Sequence, residues 1–232
     1  MIDDKELKKF AKSIGVKYLQ DGHLKQALVH RSYLNEHADF PLGHNERLEF
    51  LGDAVLELVV TEYLFENFEN PEGELTNYRA AIVNGQNLAK VARRLDVESH
   101  LFLSKGEAQD TSEKSRNYIL ANGMEAIIGA IYLDFGWDIA KEFVHHNLIS
   151  TLPEIIEKKL YIDPKSRFQE EAQSHTSITP SYKVLEESGP DHKKVFRVGA
   201  FLSKELVAEG VGSSKQEAQV DAAQNALEVK GW

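Results

Sequence analysis

From Leu7 to about Lys158, apolar residues recur in threes and fours, the period of helices, and no stretch alternates as a strand would. Leu7, Phe10, Ala11 and Ile14 form a first stripe that Gly15 ends, and a second helical run follows over Leu24–Ser32. Ala38–His44, with Pro41 and Gly43, predicts a loop. Asn45 is placed to cap a helix running to about Phe68, whose acidic first turn suits the positive end of the helix dipole. Asn70-Pro71-Glu72-Gly73 breaks that helix, and helical period resumes over Leu75–Val83 and Asn87–Leu95. The polar tract His100–Asn117, carrying Lys105, Lys114 and Arg116, is expected to be a mobile loop. Tyr118–Phe135 predicts a buried helix, and residues 138–158 an amphipathic one that turns near Pro153.

The period changes after Asp163-Pro164. Lys165–Ser174 is helical. Pro180–Leu185, Lys194–Leu202 and Leu206–Gly212 alternate like short strands, parted by turns at Gly189-Pro190 and Ser203-Lys204. Ser213–Lys230 closes the chain as an amphipathic helix with an alanine-rich face. The expectation is an all-α domain over residues 1–160 and a small α+β domain, ordered α-β-β-β-α, over 161–232.

Within the 45–68 helix, Glu46, Glu49, Asp53 and Glu57 share an arc roughly 80° wide. Leu48, Leu51, Val55, Leu58 and Val59 lie opposite and are expected to face a core. Like charges stacked three and four residues apart destabilise a helix unless a cation sits among them. Solvated acidic helix faces are common, but Glu125 is a second anomaly, alone in the apolar run Ile119–Leu133 with Asn122 one turn earlier. A buried lone carboxylate costs several kcal/mol unless it is paired or metal-bound. Two helices offering oxygen ligands to each other make a hard-cation site suited to Mg²⁺ and to phosphodiester hydrolysis.

Composition changes this picture only slightly. The net charge of −10 argues by itself against nucleic-acid binding. The excess is local: residues 1–163 carry 18 basic and 27 acidic side chains, against 9 and 10 in residues 164–232. There is no cysteine, which excludes disulfides and thiolate chemistry and suits a reducing cytoplasm. No apolar run approaches a membrane span, Ala126–Leu133 being the nearest, and the first residues are too charged for a secretion signal.

Asn45–Asp53 resembles the signature of bacterial ribonuclease III, an endonuclease of double-stranded RNA. Ala27–Glu36, Glu72–Thr76, Arg79-Ala80, Asn87–Ala89 and Ile119–Asp134 also resemble that family's motifs, and residues 161–232 resemble a double-stranded-RNA-binding domain. The resemblance implies metal ligands at Glu49, Asp53, Asn122 and Glu125. It gives Asp53 and Glu125 the most direct catalytic role, with Glu46 and Glu72 supporting them or contacting RNA. It further implies Mg²⁺, with Mn²⁺ as a substitute, a homodimer with Phe50 plugging into the partner, and 5′-phosphate and 3′-hydroxyl products. Glu57 matches no catalytic position of the family and is read as a solvated or interface residue.

In the tail the resemblance places Gln169 and Glu170 against minor-groove hydroxyls and His192 in a loop entering the next minor groove. Ser214 and Lys215 would stand at a helix start that grips phosphates. Gln216 replaces a basic residue common in the family, which implies weaker binding and a shallower salt dependence, offset in part by Lys193 and Lys194. His23, His37, His44, His100, His145 and His146 fit no metal-ligand spacing with carboxylates, and His30, though in a family motif, is read as structural. One departure stands out: the family has aspartate where this chain has Asn122. Three readings follow. The chain is an Mg²⁺-dependent RNA endonuclease, or a double-stranded-RNA-binding form impaired by Asn122, or a small-molecule phosphohydrolase. The third leaves the tail without a purpose. Processing of ribosomal, messenger and transfer RNA precursors and of small RNAs is the family expectation.

Overall fold

The protein is described here from a computed structural model that covers residues 4–190 and 194–232. Contacts divide the chain between Tyr161 and Ile162 into two compact units.

The first unit is helical: α1 Asp4–Ser13, α2 Leu24–Ala27, α3 Arg31–Glu36, α4 Glu46–Asn67, α5 Glu72–Val83, α6 Gly85–Arg94, α7 Lys105–Gln109, α8 Glu113–Phe135, α9 Trp137–Asn147 and α10 Leu152–Glu157. Its centre is α8, enclosed by α2, α4, α6 and α9, with Met124, Ala126, Ile127, Ile128 and Ala130 almost wholly buried. By length and composition α8 could cross a membrane, but here it is the core helix of this unit. Small residues let the two longest helices meet closely. A Cβ on Gly52 would lie 2.6 Å from the Glu125 carbonyl carbon and 2.8 Å from the Gly129 nitrogen, and one on Gly129 would strike the Leu48 carbonyl oxygen. Backbone therefore packs on backbone where α4 crosses α8, and α4 has Leu48, Val55, Val59 and Val60 buried around the crossing.

Several local expectations are corrected. Residues 100–117 are not one mobile loop: they hold α7, and α8 already starts at Glu113, with Ser112 Oγ accepting from the Ser115 amide. Ser104 caps α7 in the same way. The segment over 138–158 is two helices, parted by a 3-10 turn at Ile149–Thr151, with Pro153 in the first turn of α10, where its missing N–H costs nothing. Glu72 and Gly73 open α5 rather than breaking a helix, because Pro71 precedes them. Asn45 does not cap α4 through its side chain; its Nδ2 donates to the Ala27 carbonyl, 3.2 Å away, and only its backbone oxygen serves the helix. Leu58, expected in the core, is 57% exposed.

The second unit runs α11 Pro164–Thr176, β1 Ser181–Ser188, β2 Val195–Leu202, β3 Glu205–Gly212 and α12 Lys215–Lys230. Asp163 starts α11 by accepting from the Lys165 and Ser166 amides, with Pro164 in the first turn. The antiparallel sheet has the order β1-β2-β3. Its core joins Phe168 and Ala172 of α11 to Val198, Ala200 and Leu202 of β2 and the alanines of α12. Here too glycine permits close approach: a Cβ on Gly210 would lie 2.6 Å from Ala222 Cα.

Candidate nuclease centre and RNA-facing surface

The α4–α8 crossing sets one face of each helix against the other, and the acidic arc of α4 meets Asn122 and Glu125 there. Burial raises the Glu125 carboxyl first, and the charges of Asp53 and Glu49 add to it, pushing its pKa up to about 7. Glu49 is also raised, by burial and then by Glu46 and Asp53, while a hydrogen bond from Asn122 opposes the shift. Asp53 stays exposed at the mouth of the cluster. Four oxygen-bearing side chains predicted from sequence thus sit together.

The donor set fits a hard divalent cation. Carboxylate and amide oxygens are what such an ion takes, and carboxylates raised by mutual repulsion gain from a positive charge between them. The site is open: among the described residues no three ionisable side chains converge into a ready cation cage. Mg²⁺, which keeps several waters, suits an open site of this kind.

Around the cluster, Glu46 is flanked by Arg31 at 3.6 Å and His44 at 3.7 Å. Glu72, at the start of α5, stands apart. It accepts from Thr76 Oγ1 at 3.4 Å and contributes to the shift of neither Glu49 nor Glu125. Glu57, read from sequence as a solvated or interface residue, is paired with Arg79 at 3.0 Å. Arg79, found in sequence only as part of a motif, also donates to Thr61 and so ties α5 to α4. His30 caps α3, accepting from the Ser32 amide. His23 bonds Asp134 at 2.6 Å, joining the start of α2 to the end of α8.

Phe50, beside Glu49, is 81% exposed, and Ala54, Leu58, Thr61 and Phe65 continue an exposed stripe along α4. A groove of about 560 Å³ opens at the far end of this stripe, lined by Phe65, Phe68, Leu75 and Arg79 among others.

In the second unit, Gln169 and Glu170 are exposed on α11, and Gln169 lines a polar groove with Lys165, Tyr182 and Gln216. Ser214 caps α12, accepting from the Glu217 amide at 3.1 Å. Lys215 is already engaged, 2.9 Å from Glu187 and 5.6 Å from the centre of the Phe196 ring. His192 and Lys193 lie outside the described residues.

Residues 21–152 match the family model "Ribonuclease-III-like", and residues 164–230 match "Double-stranded RNA binding motif". The chain is 42% identical to Ribonuclease 3 of Nitratiruptor sp. over 97% of both chains. It is 48% identical to Ribonuclease 3 of Moorella thermoacetica, covering 88% of this chain and 86% of that one. Among solved structures, the nuclease domain of ribonuclease III from Campylobacter jejuni aligns with a TM-score of 0.56 at 38% identity, covering 63% of this chain and 99% of that one.

Proposed function

The chain belongs to the ribonuclease III family of endoribonucleases, and from that premise we propose that it hydrolyses the phosphodiester backbone of double-stranded RNA with Mg²⁺ held at the α4–α8 crossing. The observation that carries this reading is the gathering of Glu49, Asp53, Asn122 and Glu125 around a carboxyl pushed up to about 7. Those four residues would hold the ion, which when bound supplies an activated water and offsets charge on the phosphate. Glu125 keeps a proton near neutrality that nearby positive charge would release. Asn122 stands close enough to Glu49 to favour its charged form. Glu46, steadied by Arg31 and His44, borders the entrance. The products are a 5′-phosphate and a 3′-hydroxyl. Gln169, Glu170, His192, Ser214 and Lys215 engage the duplex, and a cytoplasmic setting with structured RNA precursors as substrates follows from kinship.

The working unit is a homodimer paired through α4. Phe50 and Phe65 lie on either side of Leu58 by roughly 12 and 10 Å along the helix. A two-fold axis near Leu58 therefore sets Phe50 of one copy at the groove beside Phe65 of the other.

The test is cleavage of a long RNA duplex with Mg²⁺, with Mn²⁺ and with a chelator. Strand scission in the chelator, or none with either ion, overturns the metal-dependent reading. A second reading, an impaired nuclease that still binds RNA, is favoured by Asn122, which lacks one negative charge at the site. It predicts at least a tenfold gain in rate for Asn122→Asp; equal rates exclude it.

A further inference from the structure

The motif Ala27–Glu36 has no part in the chemistry above, yet it joins two segments that flank the acidic cluster. On one side it holds the start of α4. The Asn45 amide donates to the Val29 carbonyl at 2.9 Å, the Asn45 side chain donates to the Ala27 carbonyl at 3.2 Å, and Arg31 faces Glu46 at 3.6 Å. On the other side it grips residues 102–105. The Phe102 amide donates to Leu28 O at 2.8 Å and the His30 amide to Phe102 O at 3.1 Å. Ser32 Oγ, bonded to His30 Nδ1 at 2.8 Å, accepts from the Ser104 amide at 3.1 Å. Both carboxylate oxygens of Glu36 accept from the Lys105 amide at 3.2 Å.

These bonds tie the backbone of an exposed lysine, Lys105, to the same segment that holds the start of α4. Arg31 and Glu36 are the two ends of α3, about 7 Å apart along its axis. One end meets Glu46 and the other meets Lys105. His30, the N-cap of α3, is tied to residues 102–104 through its backbone and ring: its amide donates to Phe102 O and its Nδ1 meets Ser32 Oγ, which accepts from Ser104. Lys105 itself is exposed and forms no ion pair with a described residue.

We propose that Glu36 and Ser32 are positioning residues that clasp the start of α7, so that the Lys105 ammonium stands beside the acidic cleft as a contact for the phosphate backbone of the bound duplex. This rests on the RNA reading above. A negative cleft repels RNA, and an ammonium held on a fixed arm at its edge offsets that repulsion where the strand must enter.

The experiment measures affinity of the full chain for a short RNA duplex by fluorescence anisotropy in EDTA, across a range of salt. Lys105→Ala is expected to weaken binding roughly 3- to 10-fold and to lower the salt slope by about one. Glu36→Ala should reproduce both changes, and the double variant should lose no more than either single one. Glu36→Gln, which keeps a carbonyl to accept from the Lys105 amide, should restore part of the affinity. Losses that multiply, or a Glu36→Ala salt slope equal to the wild type's, overturn the clasp. If Glu36→Ala fails to fold, Ser32→Ala, which removes the acceptor for Ser104 together with the His30 contact, gives the same reading. Wild-type protein that shows no salt-sensitive binding overturns the RNA reading, and the clasp with it.

Discussion

Each unit has one place where glycine lets a helix meet another backbone: α4 on α8 at Gly52 and Gly129, and α12 on β3 at Gly210 and Gly212. The packing logic is shared, but the consequences differ. Alanines line the second crossing, and the polar side chains beside it are spent on the β3 backbone, Asp221 accepting from the Val211 amide and Asn225 donating to the Glu209 carbonyl. Glu49, Asp53, Asn122 and Glu125 flank the first, and the same approach buries the Glu125 carboxyl and sets Asp53 and Glu49 near it, so that it is raised to about 7. Close packing becomes a site only when polar side chains are caught at its edge. Charge behaves in the opposite way across the units. The first unit concentrates acids, whereas Lys215 at the start of α12 in the second is already paired with Glu187.

The largest expected effect separates chemistry from packing. Glu125→Gln should lower the cleavage rate about a thousandfold, or roughly 4 kcal/mol of barrier, while duplex affinity stays within twofold. Single-turnover cleavage and anisotropy on one preparation would check both, and a rate loss below tenfold would remove Glu125 from the centre. Next come the crossings. Gly129→Ala places a methyl on the Leu48 carbonyl and should cost about 3 kcal/mol or more, abolishing cleavage while the second unit keeps its RNA affinity. Gly210→Ala should do the reverse. Calorimetry and binding of the two variants would show whether the crossings are equivalent in packing.

A third effect is a pH dependence confined to the first crossing. Below about pH 4.5 Glu125 is neutral in both folded and unfolded chains. As pH rises, the unfolded chain ionises first, so stability falls until the folded carboxyl titrates near 7, a loss of roughly 3 kcal/mol. In EDTA, Glu125→Gln should therefore stabilise the protein at pH 8 by about 3 kcal/mol more than at pH 4.5. Urea melts at the two pH values decide this, and equal gains would mean that the carboxyl is not raised. Added Mg²⁺ should raise the wild-type melting temperature more at pH 8 than at pH 6. The smallest effect belongs to the paired lysine: Lys215→Ala should weaken duplex binding only about 2- to 5-fold, since Glu187 already shares its charge. A tenfold loss or more would show that the pair breaks when RNA binds.

Much of the molecule could be read before any coordinates. Hydrophobic period gave the helices around α4 and α8, and alternation gave the three strands. Local caps were harder. The run over 100–117 looked like a polar loop because α7 is held by Ser32 and Glu36, some seventy residues earlier. Leu58 was assigned to the core because periodicity reports an apolar residue without saying what covers it. Asn45 looked like a side-chain cap, but its amide serves the Ala27 carbonyl across the fold.

What the chain by itself determined is the kind of chemistry: oxygen-bearing side chains at helical spacing, an isolated glutamate in an apolar run, and an amide, Asn122, one turn before it. Local periodicity and residue type suffice for that, because each is a property of neighbours along the chain. Only the tertiary structure decided the electrostatics. Glu125 is raised because the α4–α8 crossing buries it and then because it brings Asp53 and Glu49 near, and Asn122 opposes the shift of Glu49 because the same crossing brings them within reach of each other. Pairwise charge and hydrogen-bond energies depend on separation in space, which period and composition do not encode.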